Sequence, residues 1–381
     1  MTGPRTLMLV SERLSPGIRL DVARKQRPCP EYLLLERDYG VHLLDWSQLG
    51  SPQRSRSAPQ SIRHVAAALQ RMREFDVVFS DGEHVGIPFA LAMRVLGDVR
   101  PHLMIAHHLT TRVKRALFTV LSIERGVTRI VFHSRHQLER ARQRLRIAGS
   151  QLAFVPYGID TDFWNPISGC EESVIVSAGQ EHRDYLTLAQ ACGDLREQVI
   201  IARGSTHSPG ARSRQPERWS PNFKLAQIDH RSLRALYARA QVVVIPLIPT
   251  DFQAGVTTLL EAMAMGKACV VSAIDGQADI VQDGVSGLYV PPGDAGELRR
   301  AVRFLLARPE VRARLGWQAR HVVSSRYNLN DYASRLASHL SELAERSTVQ
   351  ARRSDPPNGR GSALDQQTGE DAPAAARARW D

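Results

Sequence analysis

Between Thr6 and Val290 the chain alternates short β-rich runs with helical patterns, and it does so in two successive series. The first series has TLMLV, VHLLD, DVVFS, HLMIA and RIVFH as strands, with SIRHVAAALQRMREF, VGIPFALAMRVLG and SRHQLERARQRL as helices between them. The second has SVIVSA, QVIIA, QVVVIP, ACVV and GLYV, with DYLTLAQACGDL, DHRSLRALYARA, VTTLLEAMAMG and DAGELRRAVRFLLA. The last helix opens on Asp294 with Glu297 three residues on, the spacing of a capping box. Strands joined through helices must run parallel, because a parallel pair needs a long crossover. A chain of 381 residues has room for two such α/β units at roughly 100–200 residues each.

The break between the two series falls in VPYGIDTDFWNPISGCEES, Val155 to Ser173, where Tyr157-Gly158, Asn165-Pro166 and Ser168-Gly169 punctuate the chain. From Ser347 the sequence is polar, rich in Pro, Gly, Ala and charge, and without apolar period, so residues 347–381 are expected to be a disordered tail. No internal repeat is visible.

Composition removes several classes. No apolar run approaches the ~18 residues of a membrane span, and TLMLV is too short for a signal peptide, so a cytoplasmic protein is expected. Cys29, Cys170, Cys192 and Cys269 are scattered without CxxC or Cys/His spacing, which argues against structural zinc and a disulfide framework. Net charge is +11, and residues 101–150 hold ten Lys or Arg against two Glu. Arg112, Lys114, Arg115, Arg140, Arg142, Arg144 and Arg146 belong to this segment. It reads either as solvated helix faces or as a surface for an anionic membrane or a phosphorylated lipid. With few aromatics and no nucleic-acid motif beside the charge, nucleic acid is not an expected partner.

Ligands of doubly wound sheets bind beyond the C-terminal strand ends, and phosphates favour helix N-termini. DFQAGVTTLLEAMAMGKACVV, Asp251 to Val271, has that form: a loop after QVVVIPL, then a helix whose first turn offers N–H groups and the hydroxyls of Thr257 and Thr258. Within this apolar helix stands one carboxylate, Glu261, with no cation in the turn before it. A buried carboxylate needs a partner, so its partner lies elsewhere in the chain or in a ligand. There is no GxGxxG and no GxxxxGK[ST] to support a dinucleotide or P-loop site.

DFQAGVTTLLEAMAMGKACVVSAIDGQADIVQDGVSGLYVPPGD resembles the donor-site region of glycosyltransferase family 4, the retaining nucleotide-sugar transferases of the GT-B fold. VPYGIDTDFWNP is similar to that family's interdomain linker, and the likeness runs from about Phe75 to Tyr327. The resemblance implies a GT-B architecture of two Rossmann-like, doubly wound parallel-sheet domains facing a central cleft. Residues 1–165 would be the acceptor domain and 166–326 the donor domain, with 327–346 a helix crossing back onto the first. The second Glu of the family's donor-site pair meets the donor's ribose, a role that falls to Glu261. The first, which contacts the sugar, is replaced here by Gln253; glutamine keeps an acceptor oxygen, adds donors and loses the charge. Gly255, Val256 and Thr257 would bind the diphosphate at the helix N-terminus.

In SVIVSAGQEHRDYLTLAQA, Arg183 stands where a cation would neutralise the departing diphosphate, while Gln180 replaces the family's other cation. His107 or His108 resembles the family histidine near the reacting end of the sugar, and His107, directly after its strand, is preferred. Asp81, Glu83 and His84 could form an acceptor wall, or cap the helix that follows them. Asp160-Thr161-Asp162 spells a metal–diphosphate motif of another transferase fold, but in a linker it is expected to make turn hydrogen bonds. The implied protein is a metal-independent, retaining glycosyltransferase with a nucleotide-sugar as co-substrate and no cofactor. Its acceptor would be a glycan, a lipid-linked or phosphorylated lipid, or a small molecule, and it would act in the cytoplasm or at the inner membrane face. The alternatives are a nucleotide-sugar epimerase of the same architecture and a non-catalytic protein binding through residues 101–150.

Overall fold

The computed structural model describes residues 3–49, 59–98, 100–169, 171–203 and 213–354. Twelve strands form two six-stranded, wholly parallel sheets. The first contains β1 (Thr6–Leu9), β2 (His42–Leu44), β3 (Val77–Ser80), β4 (His102–Ala106), β5 (Arg129–Phe132) and β6 (Leu152–Phe154), ordered β2-β1-β3-β4-β5-β6. The second contains β7 (Val174–Ala178), β8 (Gln198–Arg203), β9 (Phe223–Gln227), β10 (Ala240–Ile245), β11 (Ala268–Ser272) and β12 (Leu288–Val290), ordered β12-β11-β10-β7-β8-β9. Helices cover both faces of each sheet, so β1, β3, β4, β5, β7, β10 and β11 are buried along their whole apolar length, apart from Gln241. The architecture is that of the GT-B fold expected from the resemblance.

Strand order reverses between β1 and β3 in the first sheet and between β7 and β10 in the second. At such reversals the connecting helices depart to opposite faces and leave a crevice beyond the strand ends. Both crevices open toward each other: Gln253 of the second sheet's loop reaches the His133 carbonyl beyond β5 of the first.

β6 and β9 are strands that the sequence pattern did not single out. β6 has only three residues, and edge strand β9 carries the exposed Lys224 and Leu225, so neither presents a continuous apolar run. The C-terminal helix, Leu329–Ser354, places Tyr332, Ala333, Leu336, Leu340 and Leu343 in the core of the first domain. From Ala333 onward the spacing is three or four, and Tyr332 stands four before Leu336, so all five share one helical face; each fully buried leucine contributes about 1.5–3 kcal/mol. Arg129 ties this helix down through His339 and Glu342, at 2.6 and 2.8 Å. The helix runs through residues 347–354, which were expected to begin the tail, because the chain from Ser347 to Ser354 contains no Pro or Gly to stop it. Residues 355–381 lie outside the described residues.

The linker is fixed by side chains rather than by strands. Asp160 accepts hydrogen bonds from the backbone N–H groups of Asp162 and Phe163, both at 3.0 Å, as expected of a turn. Its second oxygen accepts from Cys29 N–H at 2.8 Å, joining the linker to the loop before helix Glu31–Tyr39. Arg320 donates to the carbonyls of Thr161, Trp164 and Ala264, holding the linker against helix Val256–Ala264.

Candidate functional site

At the crevice of the second sheet, the loops after β7 and β10 are stitched together: Ile248 N–H donates to His182 at 3.0 Å and Asp184 N–H to Pro246 at 3.0 Å. Arg183 fills the space beneath them. Its guanidinium, 2% exposed, donates to the carbonyls of Ala178 and Glu181, each at 2.8 Å, and to Thr258 Oγ1 at 3.0 Å. Two glycines make room for it. Gly179 at φ +94° and Gly255 at φ +71° adopt left-handed conformations, and a Cβ on either would lie within 3 Å of Arg183 nitrogens. The arginine is thus folded under the loop, where the sequence reading placed it facing the ligand. Burial draws its pKa down. Among the described residues no carboxylate pairs with it, and helix Val256–Ala264 starts directly above it without a side-chain cap. A buried cation and an uncapped helix N-terminus together make a positive site at Gly255, Val256 and Thr257.

Glu261 lies on the second turn of this helix, 6% exposed. Its Oε2 accepts one hydrogen bond, 3.3 Å long, from the buried Tyr237 hydroxyl. A partner inside the chain therefore exists, on another helix twenty-four residues away, where no local pattern points to it. It satisfies only part of the carboxylate: burial pushes the Glu261 pKa up to about 8, against the opposing pull of Tyr237 and Arg183. Glu261 and Thr257 border a cavity of about 130 Å³ between the two domains. An acidic side chain this poorly compensated, at the edge of a cavity, is suited to hydroxyl donors supplied from outside.

The first domain supplies the opposite wall. Ser11 follows β1, Asp81 follows β3, His107 follows β4 and His133 follows β5, and all border a cavity of about 370 Å³ together with His84. Asp81 accepts from Ser11 N–H and Oγ, both at 2.5 Å, closing the crevice between β1 and β3. His107 points into the cavity with Nε2 3.0 Å from the Asp81 carbonyl. His133 is buried and held neutral, its pKa pushed down to about 3 by burial and by nearby His107; it lies 2.8 Å from the Val155 carbonyl and 3.3 Å from the Tyr332 hydroxyl.

Glu83 departs from both expected roles. It neither faces the cavity nor caps its helix, for which Gly82 is the N-cap. Instead its carboxylate accepts from the N–H groups of His107 and His108, at 2.8 and 3.0 Å, and pairs with Lys114 at 2.6 Å. Burial alone would raise its pKa, but His107, Lys114 and these hydrogen bonds outweigh it and hold the group at about 2. Glu83 is therefore an internal brace that fixes the loop presenting His107. Of the segment 101–150, Lys114, Arg129 and Arg140 are likewise engaged within the protein.

The two walls touch. Gln253, 9% exposed, donates from Nε2 to the His133 carbonyl at 3.4 Å. Its neighbour Asp251 receives His108 at 3.2 Å and Arg140 at 2.9 Å from the first domain, and the His108 ring stacks on Phe252 with centroids 4.7 Å apart. Asp251 carries no signal in sequence, since its partners lie more than a hundred residues away. Because this pair of contacts is partly exposed, Asp251→Ala is expected to cost no more than about 1 kcal/mol of stability. It is nonetheless expected to open the cleft, seen as an increased radius of gyration in X-ray scattering; an unchanged radius would remove Asp251 from the closure.

Residues 173–308 match the family model described as glycosyl transferases group 1. Among curated proteins, the alpha-D-kanosaminyltransferase of Streptomyces kanamyceticus is 27% identical over 116 residues, which is 30% of this chain and 29% of that protein. The chain thus spans less than a third of that relative's length. Among solved structures, a sucrose-phosphate synthase from Thermosynechococcus elongatus superposes with a TM-score of 0.67 at 18% identity, over 91% of this chain and all of that one. Anabaena HepE, solved in complex with UDP-glucose, gives 0.66 at 15% identity over 89% of this chain and all of its own. At such identities these structures establish the GT-B fold.

Proposed function

We propose that the chain is a glycosyltransferase that moves a sugar from a nucleotide-sugar to an acceptor with retention and without a metal. The observation carrying this reading is a buried and under-satisfied Glu261 on helix Val256–Ala264 beside a buried Arg183 that lies beneath the start of the same helix and, among the described residues, pairs with no carboxylate. A nucleoside diphosphate answers both needs, bringing hydroxyl donors to the carboxylate and negative charge to the helix start. The match of residues 173–308 to group 1 glycosyl transferases and the likeness to a fold solved with UDP-glucose support the same reading.

In this reading the donor's ribose rests on Glu261, and its diphosphate lies at Gly255, Val256 and Thr257 above Arg183. The sugar points toward His107 and Gln253, and Gln253 exchanges the His133 carbonyl for sugar hydroxyls. The acceptor enters the larger cavity past Asp81 and His84. As the bond from the sugar's anomeric carbon to phosphate oxygen breaks, the acceptor oxygen bonds to the same face of that carbon. The departing phosphate oxygen takes the acceptor's proton. The helix N–H groups and Arg183 stabilise the charge gathering on the diphosphate, and closure of Asp251 on His108 and Arg140 keeps water away. An anionic membrane surface as the setting of the acceptor is supported by helix Arg112–Leu121, where Val113 and Val120 stand exposed alongside Arg112 and Arg115.

A thermal-shift panel of UDP-, GDP- and ADP-sugars tests the reading. A donor at 100 times its dissociation constant adds about 2.7 kcal/mol of stability. No shift with any of them would reject it.

A further inference from the structure

We infer that Arg27 is the cation that holds the donor's diphosphate from the first domain's side of the cleft. The inference rests on the nucleotide-sugar reading above and assigns a residue that the donor-site motif does not contain. Arg27 borders both the 130 Å³ cavity beside Glu261 and the 370 Å³ cavity beside His107, and it is the one Lys or Arg in the described lining of either. The other titratable side chains there are tyrosines, Cys29, histidines and the acids Glu12, Glu31, Asp81, Asp160 and Glu261, of which burial shifts Glu31 and Glu261 toward the protonated form. A diphosphate entering this space would meet repulsion from those acids that remain ionised, and Arg183 is already committed to two carbonyls and a hydroxyl. Arg27 is placed to offset that repulsion where the two cavities meet, between the ribose end and the sugar end of a bound donor.

Its own surroundings leave it available. Among the described residues no carboxylate comes within ion-pair distance of Arg27, although Glu31 and Asp160 share its cavity, and its Nε is buried without a hydrogen-bond partner. The loop carrying it is held at both ends. Cys29 N–H donates to Asp160 at 2.8 Å, and Gln26 Oε1 accepts from Arg231 of the second domain's helix His230–Arg239 at 3.4 Å. Pro28 and Pro30 fix two further backbone angles. A guanidinium on a braced loop loses little freedom on binding, and its fork matches phosphate oxygens. Since the loop belongs to the first domain, its grip on a ligand seated on the second would couple donor binding to closure.

Calorimetry of the full chain with UDP and with uridine tests this, alongside Arg27→Ala and Arg27→Lys; the guanosine and adenosine pairs are run in the same way. Arg27→Ala is expected to weaken binding of the nucleoside diphosphate by about 10- to 100-fold, the usual worth of a hydrogen-bonded charge. It should leave nucleoside binding and the unliganded melting temperature unchanged, and Arg27→Lys should recover part of the loss. Wild-type affinity for the diphosphate in Arg27→Ala, or an equal loss for the nucleoside, overturns the assignment of Arg27 alone. Failure of the wild-type protein to bind any diphosphate overturns the nucleotide-sugar reading, and Arg27 with it.

Discussion

Replacing Glu261 by glutamine is expected to stabilise the unliganded protein at pH 8 while removing its affinity for a nucleotide-sugar. The first effect follows from the Glu261 carboxyl group, whose pKa burial pushes up to about 8, against about 4.3 in an unfolded chain. Between those values the folded state holds a proton that the unfolded state has released, so stability falls as pH rises through the window. Below it both states are protonated and the residue is neutral in its effect; above it the penalty is complete. Glutamine keeps an oxygen for the Tyr237 hydroxyl and never ionises. The gain in melting temperature from Glu261→Gln should be nil near pH 4, grow to pH 8 and then level. Each tenfold change in acidity constant is worth about 1.4 kcal/mol, and each kcal/mol shifts the melting temperature by roughly 2–4 °C in domains of this size.

The second effect runs the other way. Two ribose hydroxyls donate best to an ionised carboxylate, so binding should expel the proton, and affinity should climb as pH rises toward 8 and then flatten. Glu261→Gln cannot form charge-assisted bonds, and Glu261→Ala loses the acceptors altogether; either should weaken the donor at least about 100-fold. A wild-type affinity independent of pH between 6 and 8, with undiminished binding in Glu261→Ala, would place the ribose elsewhere.

What the sequence disclosed and what it hid divide along physical lines. Local pattern was legible: the alternation of strands and helices, the capping Asp294, which accepts from Glu297 N–H at 2.8 Å, and the helix start at Gly255. Glu261 was conspicuous because one carboxylate in an apolar helix is costly wherever it ends up. Contacts made across the fold were not legible. Tyr237 reaches Glu261 from another helix, Glu83 braces a loop twenty-four residues on, and Arg183 has its fork turned inward by the need to satisfy Ala178, Glu181 and Thr258. Only the folded chain decides whether a polar side chain spends its hydrogen bonds on neighbours or keeps them for a ligand. Arg27 shows the converse: in a loop of no evident pattern, its meaning comes from the acidic walls that folding brings around it.

Arg183→Ala is expected to be the most damaging single change, because one side chain serves structure and chemistry together. Its removal leaves the buried Ala178 carbonyl and Thr258 hydroxyl, and the part-buried Glu181 carbonyl, without their donor, at about 1–3 kcal/mol for each buried group left unpaired. Partial relaxation around the vacated space should bring the loss to about 3–5 kcal/mol, a large part of the 5–15 kcal/mol that holds a typical domain folded. The same change withdraws positive charge from beneath the helix N-terminus and should lower turnover about 10²- to 10³-fold. Arg183→Lys separates the two roles. An ammonium restores the charge but cannot span the β7 loop and helix Val256–Ala264 at once, since it lacks the planar fork that reaches Ala178, Glu181 and Thr258 together. The lysine variant should therefore regain nucleoside-diphosphate affinity more fully than it regains resistance to urea. Were stability to return with lysine while affinity did not, the guanidinium's geometry rather than its charge would be what the ligand feels. Were Arg183→Ala to unfold and bind as the wild type does, neither role could belong to Arg183.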